Sequence, residues 1–344
     1  MNKLLFPAVL LWAALAAPGA RAQDDDSGAQ TGTASAEFLN IPVGARATAM
    51  GGAFSATAND ATAMYWNPAG MTRLEGRTAT FEYATWLVGI DFNFAAVAMP
   101  TALGTVGVGV TAVNVPEMDV VEEVNGDQMP TGETFDAGSY AVTLSYARAL
   151  TDRFSLGANV KLLREQIWNS SANGVAFDVG TLFTTPFRGV RLGASISNFG
   201  TKMHMTGPDL NIPFDPDAGQ NGNNGNVPAR ISTDEFDLPL TMRVGVATEL
   251  FQSGATRLSV AVDALSPSAS DQFVNLGAEL GLLGGLVQFR GGYQELFMDG
   301  SPRSFTLGGG LRYAFGRLNV SADYAYEAFD YFDGVNRFSF ALGF

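Results

Sequence analysis

The chain of 344 residues contains no cysteine and one histidine, His204. Without cysteine there can be no disulfide, no thiolate nucleophile, no Cys-based metal site and no lipidated N-terminal Cys. A Ser-His-Asp arrangement would have to use His204, which sits between Met203 and Met205 in a loop-like stretch with no nucleophile-elbow pattern near it. Charge is also scarce: charged residues make up 16% of the chain, whereas soluble domains run at about a quarter. The formal net charge is −14, which argues against nucleic acid as a partner, because phosphate binding needs clustered Lys and Arg. A further absence concerns length. After the first two dozen or so positions (roughly 22, against the about 20 apolar residues a helix needs to span a bilayer), no uninterrupted apolar run is long enough to cross as a helix.

The motifs that remain are weak. The stretch Asp215-Pro-Asp217-Ala-Gly219-Gln-Asn221-Gly-Asn223 has the composition of a calcium loop but lacks the ligand spacing and terminal Glu of one. Gly104, Gly107 and Gly109 fall inside a predicted strand rather than before a helix, so they do not make a phosphate loop. No metal, cofactor or enzyme activity is expected.

What is present is glycine, at 40 residues, and alternation. The N-terminus has the form of a secretory signal peptide over residues 1–22. Lys3 is basic, Leu4 to Ala17 is apolar, and Ala20-Arg-Ala22 fits a small-x-small cleavage pattern. Residues 23–36 are polar and small and are expected to be flexible. From Arg77 onward the sequence divides into segments of about ten residues, the length of a tilted membrane strand. Fourteen are predicted, near 78–87, 90–99, 104–115, 138–148, 153–164, 174–185, 189–198, 239–250, 256–265, 273–281, 285–293, 304–314, 317–328 and 337–344. In one of them Leu240, Met242, Val244 and Val246 share a face, with Thr241, Arg243, Gly245 and Ala247 opposite. A soluble β-sandwich would also alternate, but it would place Lys and Glu on the polar faces. Here those faces carry Gly, Ala, Ser, Thr and Asn, which suits a crowded barrel interior.

Connection lengths agree with that choice. Alternate connections are short, as at 150–152 and 315–316, and most of the others are long, as at 116–137 and 199–238. This is the asymmetry between periplasmic turns and outer loops. Loop 116–137 is acidic and contains no Lys or Arg; a solvated surface and a docking surface both fit it. Aromatics near strand ends (Trp86, Trp168, Tyr313, Phe329, Tyr331, Phe332) are expected in interfacial girdles. The fold class is therefore all-β: a transmembrane antiparallel barrel over 77–344. Its last strand places Phe338, Phe340, Leu342 and Phe344 on one lipid-facing side, closes against 78–87, and resembles the signal read by the barrel-insertion machinery.

Residues 37–76 are too few to fold alone, yet too apolar and small for a solvated tail, so they are expected to plug the barrel. Asp60 is expected to cap a short helix over Asp60–Tyr65, and Trp66-Asn67-Pro68-Ala69-Gly70 to make a turn. The run from Phe38 to Phe54 includes Arg46, Gly51 and Gly52. Together with Asn59-Asp60 and Trp66-Asn-Pro-Ala-Gly-Met71, it resembles the N-terminal signature of the PorV/PorQ family. That family is similar in turn to FadL-type fourteen-stranded outer-membrane barrels with an N-terminal hatch. The resemblance implies a hatch built on Arg46, Gly51, Gly52, Asp60, Trp66, Asn67, Pro68 and Gly70. It also implies a place in the outer membrane, among its lipids. For function it implies type IX secretion, with exported cargo or secretion components as partners at the outer loops; the alternatives are FadL-like passage of small hydrophobic molecules and a purely structural barrel. The predicted lumen charges are mixed in sign: Arg243, Arg257, Asp263, Glu279, Arg290, Arg312, Asp323 and Glu327. Such a mixture suits ion pairs or a plug interface better than an ion-selective pore. Arg46 and Asp60 are the hatch residues expected to pair with them.

Overall fold

The protein is seen in a computed structural model that describes residues 34–124, 126–216, 219 and 226–344. The predicted signal peptide, the segment up to residue 33 and most of the Asn/Gly-rich stretch after Asp215 lie outside the described residues.

Alternating sequence becomes a closed antiparallel barrel of fourteen strands. The wall is β1 (Thr78–Thr85), β2 (Asp91–Thr101), β3 (Gly104–Val124), β4 (Asp127–Ala149), β5 (Phe154–Ile167), β6 (Ser170–Thr184) and β7 (Arg191–Gly200). A two-stranded sheet, β8 (Asn211–Phe214) with β9 (Val227–Arg230), lies in the following loop. The wall resumes with β10 (Thr241–Ser253), β11 (Thr256–Pro267), β12 (Phe273–Leu282), β13 (Val287–Leu296), β14 (Arg303–Phe315), β15 (Leu318–Phe329) and β16 (Val335–Gly343). Strand β16 closes on β1, with Phe340 opposite Phe81 and Phe338 opposite Tyr83. Beyond the ladder, Phe344 and Arg77 exchange backbone hydrogen bonds of 2.9 and 3.1 Å. Closure leaves no free edge, which is what lets strands span a bilayer.

The outer surface carries the apolar half of each alternation. Met242, Val244 and Val246 are exposed, as are Phe338, Phe340, Leu342 and Phe344. No helix among the described residues is long and apolar enough to cross a membrane.

The structure departs from the sequence reading in three places. The predicted loop 116–137 is a continuation of β3 and β4, a paired ribbon running from Val115–Ala137 out to Val124–Asp127. Its charges are interspersed with Val and Met, and the strand pairing continues past two register shifts. The loop 199–238 is tied down by bridges from Met203 to Phe236 and from Ser171 to Thr206. Finally, Trp86 and Phe329 do not belong to a lipid-facing girdle. They stack edge-to-face at 5.6 Å, and the guanidinium of the fully buried Arg337 lies 4.8 Å from the Trp86 ring. An indole with a buried cation to cover packs inward.

Residues 36–73 fill the lumen as a hatch. Its helices are short: α1 (Ala45–Ala49) and α2 (Ala63–Trp66), with 3-10 turns at Glu37–Asn40 and Pro68–Arg73. The helix expected over Asp60–Tyr65 begins later, at Ala63, and its N-cap Thr62 makes no side-chain cap bond. Asp60 instead accepts the Thr62 backbone N–H at 2.9 Å, closing a local turn that competes with the cap. Asn67 is the capping residue: it accepts the Ala69 N–H at 3.1 Å, and Pro68 stands just inside the turn.

Glycines of the wall make room for this backbone. A Cβ on Gly180 would stand 2.1 Å from Asn67 Oδ1, on Gly292 2.2 Å from the Gly51 nitrogen, and on Gly277 2.3 Å from the Met50 carbonyl. Gly193 and Gly157 meet Ser55 and Pro68 equally closely. These strands lack side chains where the hatch touches them.

Candidate functional site

Each functional side chain is positioned either by the hatch or by the inward face of a strand. On the α1 side, Arg46 donates from Nε to Glu279 Oε2 at 3.0 Å and from Nη1 to Asn59 Oδ1 at 2.6 Å, and its Nη1 lies 3.4 Å from Asp60. Glu279 is also bound by Arg290 and Arg257, each at 2.8 Å, and Arg290 reaches Asp323 at 2.6 Å. Arg46 therefore joins a wall charge, whereas Asp60 pairs within the hatch. Asp263 accepts the Phe54 and Ser55 N–H groups at 3.0 and 2.8 Å. Glu327 pairs with Arg337, which also holds Glu82 at 3.2 Å and donates to the Pro42 carbonyl at 2.9 Å. Gly51 donates its N–H to Thr306 Oγ1 at 3.0 Å, and Trp66 donates from Nε1 to the Val43 carbonyl at 2.7 Å. Gly70 packs against Ala58, and Gly52 against the Trp66 ring. Arg312 stands on the inward side of β14; its backbone N–H donates to the Leu286 carbonyl at 2.9 Å, and its side chain makes no hydrogen bond or ion pair among the described residues.

The sequence reading did not single out Arg337, Glu82, Lys161 or Asp178. Lys161 and Asp178, on β5 and β6, form a buried pair at 2.8 Å. Their signal was present: each is a charge at an inward position of an alternating strand.

Two cavities lie against the hatch on either side of Tyr65. The first, of about 340 Å³, opens at the long-loop end. Its floor includes Pro42, Gly52, Tyr65 and Trp66, and its walls include Arg243, Leu265, Phe273, Met298 and Arg303. Arg243 spreads over both hatch aromatics, 5.3 Å from the Tyr65 ring and 5.4 Å from the Trp66 ring. Burial pushes the Tyr65 phenol up, with Arg243 opposing that shift. The second cavity is small, about 20 Å³, and more apolar. It lies behind Tyr65 and is lined by Phe38, Leu39, Ile41, Val43, Met64 and Phe94, with Lys161 at its edge. Tyr65 is a wall of both. The arrangement can hold a small apolar body against aromatic faces, with a cation and a few amides to orient it.

His204 is half exposed and lies 3.9 Å from Glu235. Among the described residues no group of His, Asp and Glu could hold a metal ion.

Comparison with known proteins adds the following. A family model described as an uncharacterised protein family, UPF0164, matches residues 13–176. No curated protein matches. Among solved structures, the toluene transporter TbuX of Ralstonia pickettii is 14% identical over 87% of this chain and 97% of its own, with a TM-score of 0.54. The toluene transporter TodX of Pseudomonas putida is 12% identical over 87% and 96%, with a TM-score of 0.55. The PorV/PorQ resemblance has no counterpart among these matches. At such identity the likeness is one of fold: this chain is a closed fourteen-stranded barrel similar to those outer-membrane transporter barrels.

Proposed function

We propose that this chain is a non-enzymatic outer-membrane barrel that admits small hydrophobic molecules from outside. The observation that carries this reading is Tyr65, the shared wall between the open vestibule and the apolar pocket behind it. A solute would settle on Tyr65 and Trp66, then move behind Tyr65 as Phe38–Val43 shifts, because the inner pocket at rest holds about one water. The fold shared with two toluene transporters supports this reading over type IX secretion. The signal peptide, outer-membrane address and C-terminal insertion signal belong to the same proposal, as do lipids and the insertion machinery as partners. A titration tests it. Detergent-solubilised barrel should bind a small apolar fluorophore saturably and release it to toluene, with Tyr65→Ala weakening binding roughly fivefold to tenfold. Binding that toluene does not displace would sink the reading.

One observation favours the secretion reading: the acidic ribbon of β3 and β4 projects beyond the wall pairing. A PorV/PorQ-like protein would use it to dock exported cargo. Specific recovery of a secreted protein in a pull-down, lost when 117–135 is shortened, would support that role.

A further inference from the structure

The hatch runs toward the short-turn end of the lumen through Pro68–Arg73. There its last cation, Arg73, lines the same cavity as Thr184, the strand-pairing partner of Arg191 at the start of β7. The carboxylates that engage this group are few. Glu249 lies 3.5 Å from Arg191. Arg73 has no hydrogen-bond or ion-pair partner among the described residues, and its Nη1 is buried and unsatisfied. The Nε of Arg191 is likewise buried without a partner. Arg73 also lines a cavity of about 430 Å³ at this end, together with Thr72, Asp152, Arg153 and Ser155.

Burial, and next the charge of Arg191, bring the Arg73 guanidinium down to about 10, with Glu249 offsetting this only in part. A cation held against other cations, with a donor pointing at nothing, costs stability unless something fills the gap. A planar guanidinium is best satisfied by a flat or tetrahedral oxyanion that takes two of its N–H groups at once.

We propose that Arg73 and Arg191 form an oxyanion-binding site at the periplasmic mouth of the lumen, one that takes a carboxylate or phosphate group. The group can come from a free anion or from the headgroup of a phospholipid. The site is separate from the vestibule and does not depend on which solute the vestibule admits.

Calorimetric titration of the folded, detergent-solubilised barrel with inorganic phosphate at low salt tests this. The wild type should bind one phosphate saturably. Arg73→Gln should weaken binding about tenfold, while Arg312→Gln, which removes a lumen cation outside the site, should leave it within about twofold. Heat-modifiable mobility on gels reports folding, and Arg191→Gln serves as the second variant if Arg73→Gln does not fold. Mass spectrometry of barrels purified from membranes separates the sources. Phospholipid retained by the wild type and lost from Arg73→Gln identifies a headgroup; phosphate binding without retained lipid identifies a soluble anion. Absence of saturable phosphate binding, or equal weakening by Arg312→Gln, overturns the proposal.

Discussion

At the scale of single residues, the hatch is held by charges whose partners are unequally replaceable. Arg46 is the clearest case. Removing it leaves Glu279 still bound by Arg257 and Arg290, so the wall keeps its pairing and only the hatch loses a tether. We expect Arg46→Ala to fold normally and to raise single-channel conductance in a planar bilayer; unchanged conductance would mean the tether does not secure the hatch. Arg337 behaves differently. It holds Glu82 and Glu327, both fully buried, and nothing else on the barrel wall pairs with Glu82. Removing it would leave buried Glu82 with only the Gly44 N–H and buried Glu327 with only Arg303 at 3.9 Å, with a cost of about 3–5 kcal/mol. Arg337→Ala should therefore assemble poorly, seen as loss of the heat-modifiable band.

At the scale of elements, the decisive contact is between glycine-faced strands and the hatch backbone. A methyl on Gly277 would meet the Met50 carbonyl at 2.3 Å, while one on the outward Gly309 would find its nearest atom at 3.4 Å. Overpacking of this kind costs about 1–3 kcal/mol. Gly277→Ala should lower the melting temperature measurably and Gly309→Ala far less; equal effects would show that the hatch does not bear on that strand. The sequence made the wall legible here because inward and outward residues alternate strand after strand, and the final Phe338-to-Phe344 strand is a plain example. It did not reveal which glycines face which hatch atoms, since no local period relates a plug to its wall. The β3–β4 ribbon was misread for a related reason. Its glutamates and aspartates look like a solvated loop and follow no clean period of two, so the pairing of β3 with β4 that makes it a ribbon is not visible locally. Trp86 and Phe329 were read as lipid anchors because position near a strand end is visible in sequence, whereas the buried cation that draws them inward is not.

At the scale of the whole molecule, a lumen occupied by residues 36–73 and a vestibule at the long-loop end bear on the solutes the proposed transporter would pass. Hatch backbone lies against wall glycines around the lumen, and the Arg46–Glu279 ion pair and the Arg337 hydrogen bond to the Pro42 carbonyl join the two. Such a lumen should not behave as an open aqueous pore. Passage of an apolar solute would instead need only local movement near Tyr65 and Phe38–Val43. The central claim is therefore one of selectivity, and permeation into proteoliposomes reconstituted with the barrel measures it directly. Radiolabelled toluene should enter faster than into protein-free vesicles, with the gain lost in Tyr65→Ala, while a small sugar should enter no faster than in the controls. Rapid sugar entry through the wild-type barrel, with no gain for toluene, would contradict the account.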